Sequence, residues 1–140
     1  MKYQNTGINK VIRRYKNIRQ PDSMFHVAKL NDSRIVPCEI VEEENTIVVT
    51  MPNLKDMGFY NLSELYEHHD PLMLINWSIE LFDDLVREYI VPVDIHDSNI
   101  MSNGSSLVLV DYEQFWPWDR KREAYGRWRL NETIKVWSGK

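Results

Sequence analysis

Apolar residues recur at spacings of three and four near the start of the chain, where Ile8, Val11, Ile12, Tyr15 and Ile18 form one stripe opposite Arg and Lys. The spacing predicts an amphipathic helix over 8–19. Pro21 stops it, because proline lacks the N–H and disfavours helix in the residue before it. The period then changes. Residues 35–41 (IVPCEIV) and 46–51 (TIVVTM) are apolar and rich in β-branched side chains. With Glu43, Glu44 and Asn45 between them they predict a two-stranded hairpin. Pro52, Asn53 and the residues up to Gly58 read as a linker. Asn61 or Ser63 is suited to cap a short helix running through Tyr66. Asp70-Pro71 opens the clearest helix, an N-cap followed by proline at the first helical position. Its apolar residues, Leu72, Ile75, Ile79, Phe82 and Leu85 with Leu74, Trp77 and Leu81 beside them, run to about Glu88 and predict burial. A polar loop over 94–99 follows, then a short strand around Ile100–Met101 and an Asn103-Gly104 turn. Leu107–Val110 is a fully apolar strand that ends on Asp111.

The chemistry sits in that last stretch. Asp94 and Asn99 stand five positions apart in one loop, and the apolar strand delivers Asp111. Phosphoryl transfer from a nucleotide needs such a set: one carboxylate for the acceptor hydroxyl, and an Asn with a second carboxylate to hold Mg²⁺ on the phosphates. Magnesium takes hard oxygen ligands and few of them from protein.

The stretch Asp94-Ile95-His96-Asp97-Ser98-Asn99-Ile100-Met101, followed by Asp111-Tyr112-Glu113, resembles the catalytic loop and metal-binding segment of the protein-kinase superfamily. Its wording is closest to the aminoglycoside and choline phosphotransferase branch, and the element order is also similar to small bacterial kinase-like proteins of the PhoP regulatory network. The resemblance implies an α+β, truncated protein-kinase-like fold in one domain over 1–140. Residues 1–52 would form a reduced small lobe (helix plus two-stranded hairpin), 53–60 a hinge, and 61–140 a mainly helical large-lobe core. It implies Asp94 as catalytic base and Asn99 and Asp111 as metal ligands. His96 would be a structural or phosphate-side group, and Met51–Gly58 would meet the adenine, with Met51 and Asn53 among the nucleotide-binding residues. ATP and Mg²⁺ are the implied cofactors, and a hydroxyl compound or a protein the implied acceptor.

Departures from the family pattern are equally plain. Pro92 stands where the family has His or Tyr, and Gly7 is the only glycine before residue 58. The strand lysine has no clear counterpart beyond Lys2 or Lys10, and the first Glu of the chain is Glu39. The alternative is therefore a pseudokinase, a regulatory binding module of phage or mobile-element origin. His68-His69-Asp70 with His96-Asp97 suggests a His/Asp metal phosphohydrolase, but only His26 remains to complete its ligand set.

Charge is segregated. Residues 1–38 hold eight Lys/Arg against two Asp/Glu, 39–100 hold two against fourteen, 101–113 none against two, and 114–140 seven against three, for a net charge of −4. Oppositely charged segments meeting in the fold explain this better than a polyanion surface. Trp116, Trp118, Trp128 and Trp137 alternate with Arg120, Lys121, Arg122, Arg127 and Arg129. They are expected to close the large lobe, with Arg side chains over aromatic faces, and the acidic whole argues against nucleic acid as a partner. Cys38 is the only cysteine, which predicts a packed thiol and a reducing, cytoplasmic setting. No apolar run reaches membrane-spanning length. An exposed strand edge over 35–51 predicts a homodimer or a covering partner.

Overall fold

The computed structural model describes residues 10–18, 21–65 and 69–139. Its first element corrects the sequence expectation: Lys10–Lys16 is a strand, β1, and no helix runs over the described part of 8–19. The reason lies in the period. A spacing of four puts Val11 and Tyr15 on one face of a helix, but four is also even, so it puts them on one face of a strand. Pairing with a distant strand decides between the two. β1 lies antiparallel to β3 (Thr46–Pro52), from Lys10 opposite Pro52 to Lys16 opposite Thr46. Ile8 and Lys2 lie outside the described residues.

The helix of this half is α1, Asp22–Leu30. Pro21 begins it rather than ending one, its carbonyl accepting from the Met24 and Phe25 amides. β2 (Glu39–Glu43) completes a three-stranded sheet in the order β1-β3-β2, in place of the expected two-stranded hairpin. Glu44 and Asn45 make the connection with φ of 29° and 61°, the double left-handed geometry that keeps a two-residue turn in step with strand twist. β3 is central and so buries Ile47, Val48, Val49 and Met51. Because β1 covers one side of it, the open edge expected over 35–51 is confined to β2. The outer strand β2 carries Glu39, Glu42 and Glu43, charges that discourage strand addition.

A short helical turn at Leu54–Met57 is capped by the Asn53 side chain, which accepts from the Lys55 amide. Gly58 follows in the left-handed region at φ 86°. β4 (Tyr60–Asn61) leads into α2 (Leu62–Leu65), where Asn61 Oδ1 accepts from the Ser63 amide. Tyr66 lies outside the described residues. α3, Pro71–Arg87, starts as expected, with Asp70 accepting from the Leu72 amide and Pro71 in the first turn. It buries Leu74, Leu81, Phe82 and Leu85.

After α3 come β5 (Ile90–Pro92), β6 (Ile100–Ser102) and β7 (Leu107–Leu109), then β8 (Phe115–Pro117) and α4 (Arg120–Ser138). β6 and β7 pair across the Asn103-Gly104 turn, and β5 pairs with β8. α4 crosses α3 at Gly126, where an added Cβ would lie 2.8 Å from Val91 Cγ1 and 3.1 Å from Phe82. Only glycine lets the backbones approach so closely. Residues 34–36 bond to β7 through Leu109 N to Arg34 O and Val36 N to Leu109 O, so the two halves share one apolar core. The protein is a mixed α+β chain of small antiparallel sheets and helices. No described helix is long and apolar enough to cross a membrane.

Candidate functional site

β5 delivers the chain to Asp94, and β6 carries it away from Asn99. The loop between them is pinned at both ends: the Val93 amide donates to Gln114 O at 3.0 Å and the Val110 amide to Asn99 O at 2.9 Å. This second bond sets Asp111 beside Asn99, although twelve positions separate them. Asp94 and Asp111 line one cavity of about 240 Å³ together with Glu113, Trp116, Tyr125 and Arg129. Asp94, Asn99 and Asp111, read from sequence as one set, are thus neighbours in space.

Asn99 Nδ2 donates to the Asp94 carbonyl at 2.9 Å and lies 3.3 Å from Asp94 Oδ2. Its Oδ1 has no partner among the described residues. Asp111 Oδ1 accepts from the Glu113 amide at 3.0 Å and from the Tyr15 hydroxyl at 3.3 Å, leaving Oδ2 free among the described residues. Burial, and then the adjacent Asp111 carboxylate, raises the Tyr15 phenol above its ordinary pKa. It therefore stays a hydroxyl donor at neutral pH.

The Asp94 carboxylate is well held. Arg129 Nη2, from α4, lies 2.5 Å from Oδ1. His96 folds back into its own loop: Nδ1 accepts from the Ser98 amide at 3.0 Å, so Nε2 of the neutral ring carries the proton and faces Asp94 Oδ1 at 3.2 Å. The 3.3 Å approach of Asn99 Nδ2 to the same Nε2 then sets two donors side by side rather than making a bond. Trp137 Nε1 donates to Asp97 Oδ1 at 2.5 Å, tying the loop to the far end of α4.

Met51 and Asn53 do not line this cavity. Met51 is buried in β3, and the Asn53 side chain is used in its cap. Arg129, Tyr15 and Trp137 were not singled out for the site by sequence. The only signal for two of them was the Trp/Arg alternation after residue 116. That alternation also behaves differently from expectation. Trp137 is buried and closes the core, whereas Trp116, Trp118 and Trp128 are exposed. Arg side chains do lie over aromatic faces, but over Phe82 (Arg127, 4.7 Å) and Tyr125 (Arg129, 5.9 Å). Cys38 is half-buried and its pKa is raised by burial, as for a packed thiol. Among the described residues no group of three or more His, Cys, Asp or Glu side chains is arranged to hold a metal ion, and His68 lies outside them. The chain matches no family model, and no curated protein matches it.

Proposed function

We propose that the chain is a minimal kinase-like phosphotransferase that binds a Mg²⁺–nucleotide and moves its terminal phosphoryl group to a hydroxyl. One observation carries the reading: the Val110 amide bonds Asn99 O and so brings Asn99, whose Nδ2 bonds the Asp94 carbonyl, close to Asp111, which lines one cavity with Asp94. Element order supports it as well. A sheet ordered β1-β3-β2 with one helix precedes a buried helix, the loop and the β6–β7 hairpin.

Asn99 Oδ1 and Asp111 Oδ2 are hard oxygen donors without protein partners among the described residues, and so fit magnesium. When bound there, the ion neutralises charge on the nucleotide's phosphates. Tyr15 holds Asp111 by its other oxygen and so orients the free one. Asp94 takes the proton of the acceptor hydroxyl as that oxygen bonds to the terminal phosphorus and the bond to the leaving diphosphate breaks. Asn99 Nδ2, bound to the Asp94 carbonyl, keeps the carboxylate's backbone in register with the ligand atoms.

A second reading has its own observation. Arg129, His96 and Asn99 already surround the Asp94 carboxylate, an arrangement suited to a binding module that has given up turnover. Thermal melting with ATP and Mg²⁺ separates the possibilities, since a ligand bound only by the folded state raises the melting point. The reading expects a Mg²⁺-dependent rise that Asp111→Asn removes and Asp94→Asn keeps. A rise without phosphoryl transfer to any tested hydroxyl supports the binding module, and no rise at millimolar ATP sinks the phosphotransferase reading and leaves a binding scaffold.

A further inference from the structure

We propose that the outer face of the β1-β3-β2 sheet binds a second copy of this chain, so that two sheets pack face to face. This goes beyond the phosphotransferase reading and does not require it. Strand pairing fixes which side chains share that face. Ile12, Thr50 and Glu39 form one row across the sheet, Arg14, Val48 and Val41 the next, and Lys16, Thr46 and Glu43 the third. The alternate residues Ile47, Val49 and Met51 turn the other way, into the core. On the outer face Ile12 and Val41 are 51% and 49% exposed, on the two strands that flank the buried Val48. The middle of the face is therefore apolar and its sides are charged, the composition of an interface.

Charge names the occupant and its orientation. β1 carries Arg14 and Lys16 along one side of the face, and β2 carries Glu39 and Glu43 along the other, all four exposed. Two strand spacings, about 10 Å, keep the rows apart within one chain. None of the four has an ion-pair partner among the described residues. A face with a basic side and an acidic side is complementary to itself after a half-turn. Rotating a second copy about an axis that runs along β3, midway between the sheets, sets the basic row of each over the acidic row of the other. Lys16 of one copy then faces Glu43 of the other, and the Arg14 stem lies over Val41. Symmetry makes each of these contacts twice, with the two Val48 side chains at the centre. Sheets packed about 10 Å apart leave room for a Lys and a Glu to meet. A half-turn about an axis across the strands would stack basic on basic and acidic on acidic, which charge repulsion opposes.

The face is three strands wide, which puts the contact at the small end of specific interfaces and its dissociation constant on the order of tens of micromolar. The other face of β1 presents Tyr15 to Asp111, so pairing is turned away from the Asp94 cavity and leaves it open.

The test is sedimentation equilibrium of the whole chain up to about 500 µM, well above the dissociation constant expected of so small an interface. A reversible dimer is expected, weakened by salt. Lys16→Glu and Glu43→Lys should each weaken it roughly tenfold. Glu43→Lys should do so although it moves the net charge of −4 toward zero. An equimolar mixture of the two variants should pair again, because one is then acidic at both positions and the other basic at both. Glu42→Lys, on the opposite face, makes the same charge change and should not weaken the dimer. Each variant is first checked for an unchanged melting point at about 2 µM, where the chain is monomeric at the affinity expected. A monomer throughout the range overturns the proposal. So does a dimer that is indifferent to Lys16→Glu or tightened by it, or a mixture no more associated than its components. Weakening by Glu42→Lys as great as by Glu43→Lys does the same. The ATP melting experiment, run on the monomer, is untouched by failure here, so the two readings fall separately.

Discussion

Arg129 and Asp94, thirty-five positions apart, form an ion pair of 2.5 Å that links the last helix to the loop expected to carry the catalytic carboxylate. The guanidinium also lies over Tyr125, so one side chain joins that ring to the loop. Both partners keep about a third or more of their side-chain surface exposed, which limits what the pair contributes to stability.

A double-mutant cycle with Asp94→Asn and Arg129→Met should therefore give a coupling of no more than about 1 kcal/mol in urea denaturation. A coupling indistinguishable from zero would show that the pair does not persist in solution. Arg129→Met should retain the melting rise with Mg²⁺–ATP, because neither proposed ligand oxygen touches it.

Trp137 is expected to matter more. It is almost fully buried and its indole N–H binds Asp97. Trp137→Phe removes the donor and leaves a small void, at a cost of about 1–3 kcal/mol. Hydrogen exchange should show the 96–99 amides losing protection beyond the global change. Equal loss in α3 would mean that the tether has no local role.

Gly126→Ala tests the crossing of α3 and α4. Alanine gains up to about 1 kcal/mol of helix propensity. However, its methyl would press on Val91 and Phe82, both fully buried. Overpacking of this kind costs about 1–3 kcal/mol, so a net loss of stability is expected. Stability equal to or above the parent's would show that Val91 moves aside freely.

Acid stability should depend on Asp32. Hydrogen bonds from Arg34 hold this carboxyl below the ordinary range, with Arg34 Nε and Nη2 donating to its two oxygens at 2.9 and 2.6 Å. A depressed folded pKa means that the stabilisation is present above the unfolded value, near pH 4, and is lost as pH falls through the folded one. Asp32→Asn should be less stable at neutral pH, and its stability should fall less steeply below about pH 4. Parallel curves for parent and variant would remove Asp32 from the account.

Much of this fold was legible where the signal is local. The Asp70-Pro71 helix start, the Glu44-Asn45 and Asn103-Gly104 turns, and the apolar strand into Asp111 each declare themselves within a few residues. β1 did not, because Val11 and Tyr15 fit two periods and the choice lies with β3, more than thirty positions away. For the same reason, the loop's Asp94 and Asn99 were readable from their spacing and chemistry. Their holders Tyr15, Arg129 and Trp137 were not, since each reaches the site from a distant element. The Trp/Arg alternation was visible, but which rings would be buried depended on which face α4 turns toward α3, and Gly126 fixes that face.

The pinning of the loop by α4 has a consequence for the order of synthesis. Asp94 and Asp97 leave the ribosome before the two side chains that brace them, Arg129 and Trp137. A nascent chain halted between residues 111 and 129 would hold every proposed reactive group and none of these braces. The loop is thus braced last, by residues that take no part in the proposed chemistry.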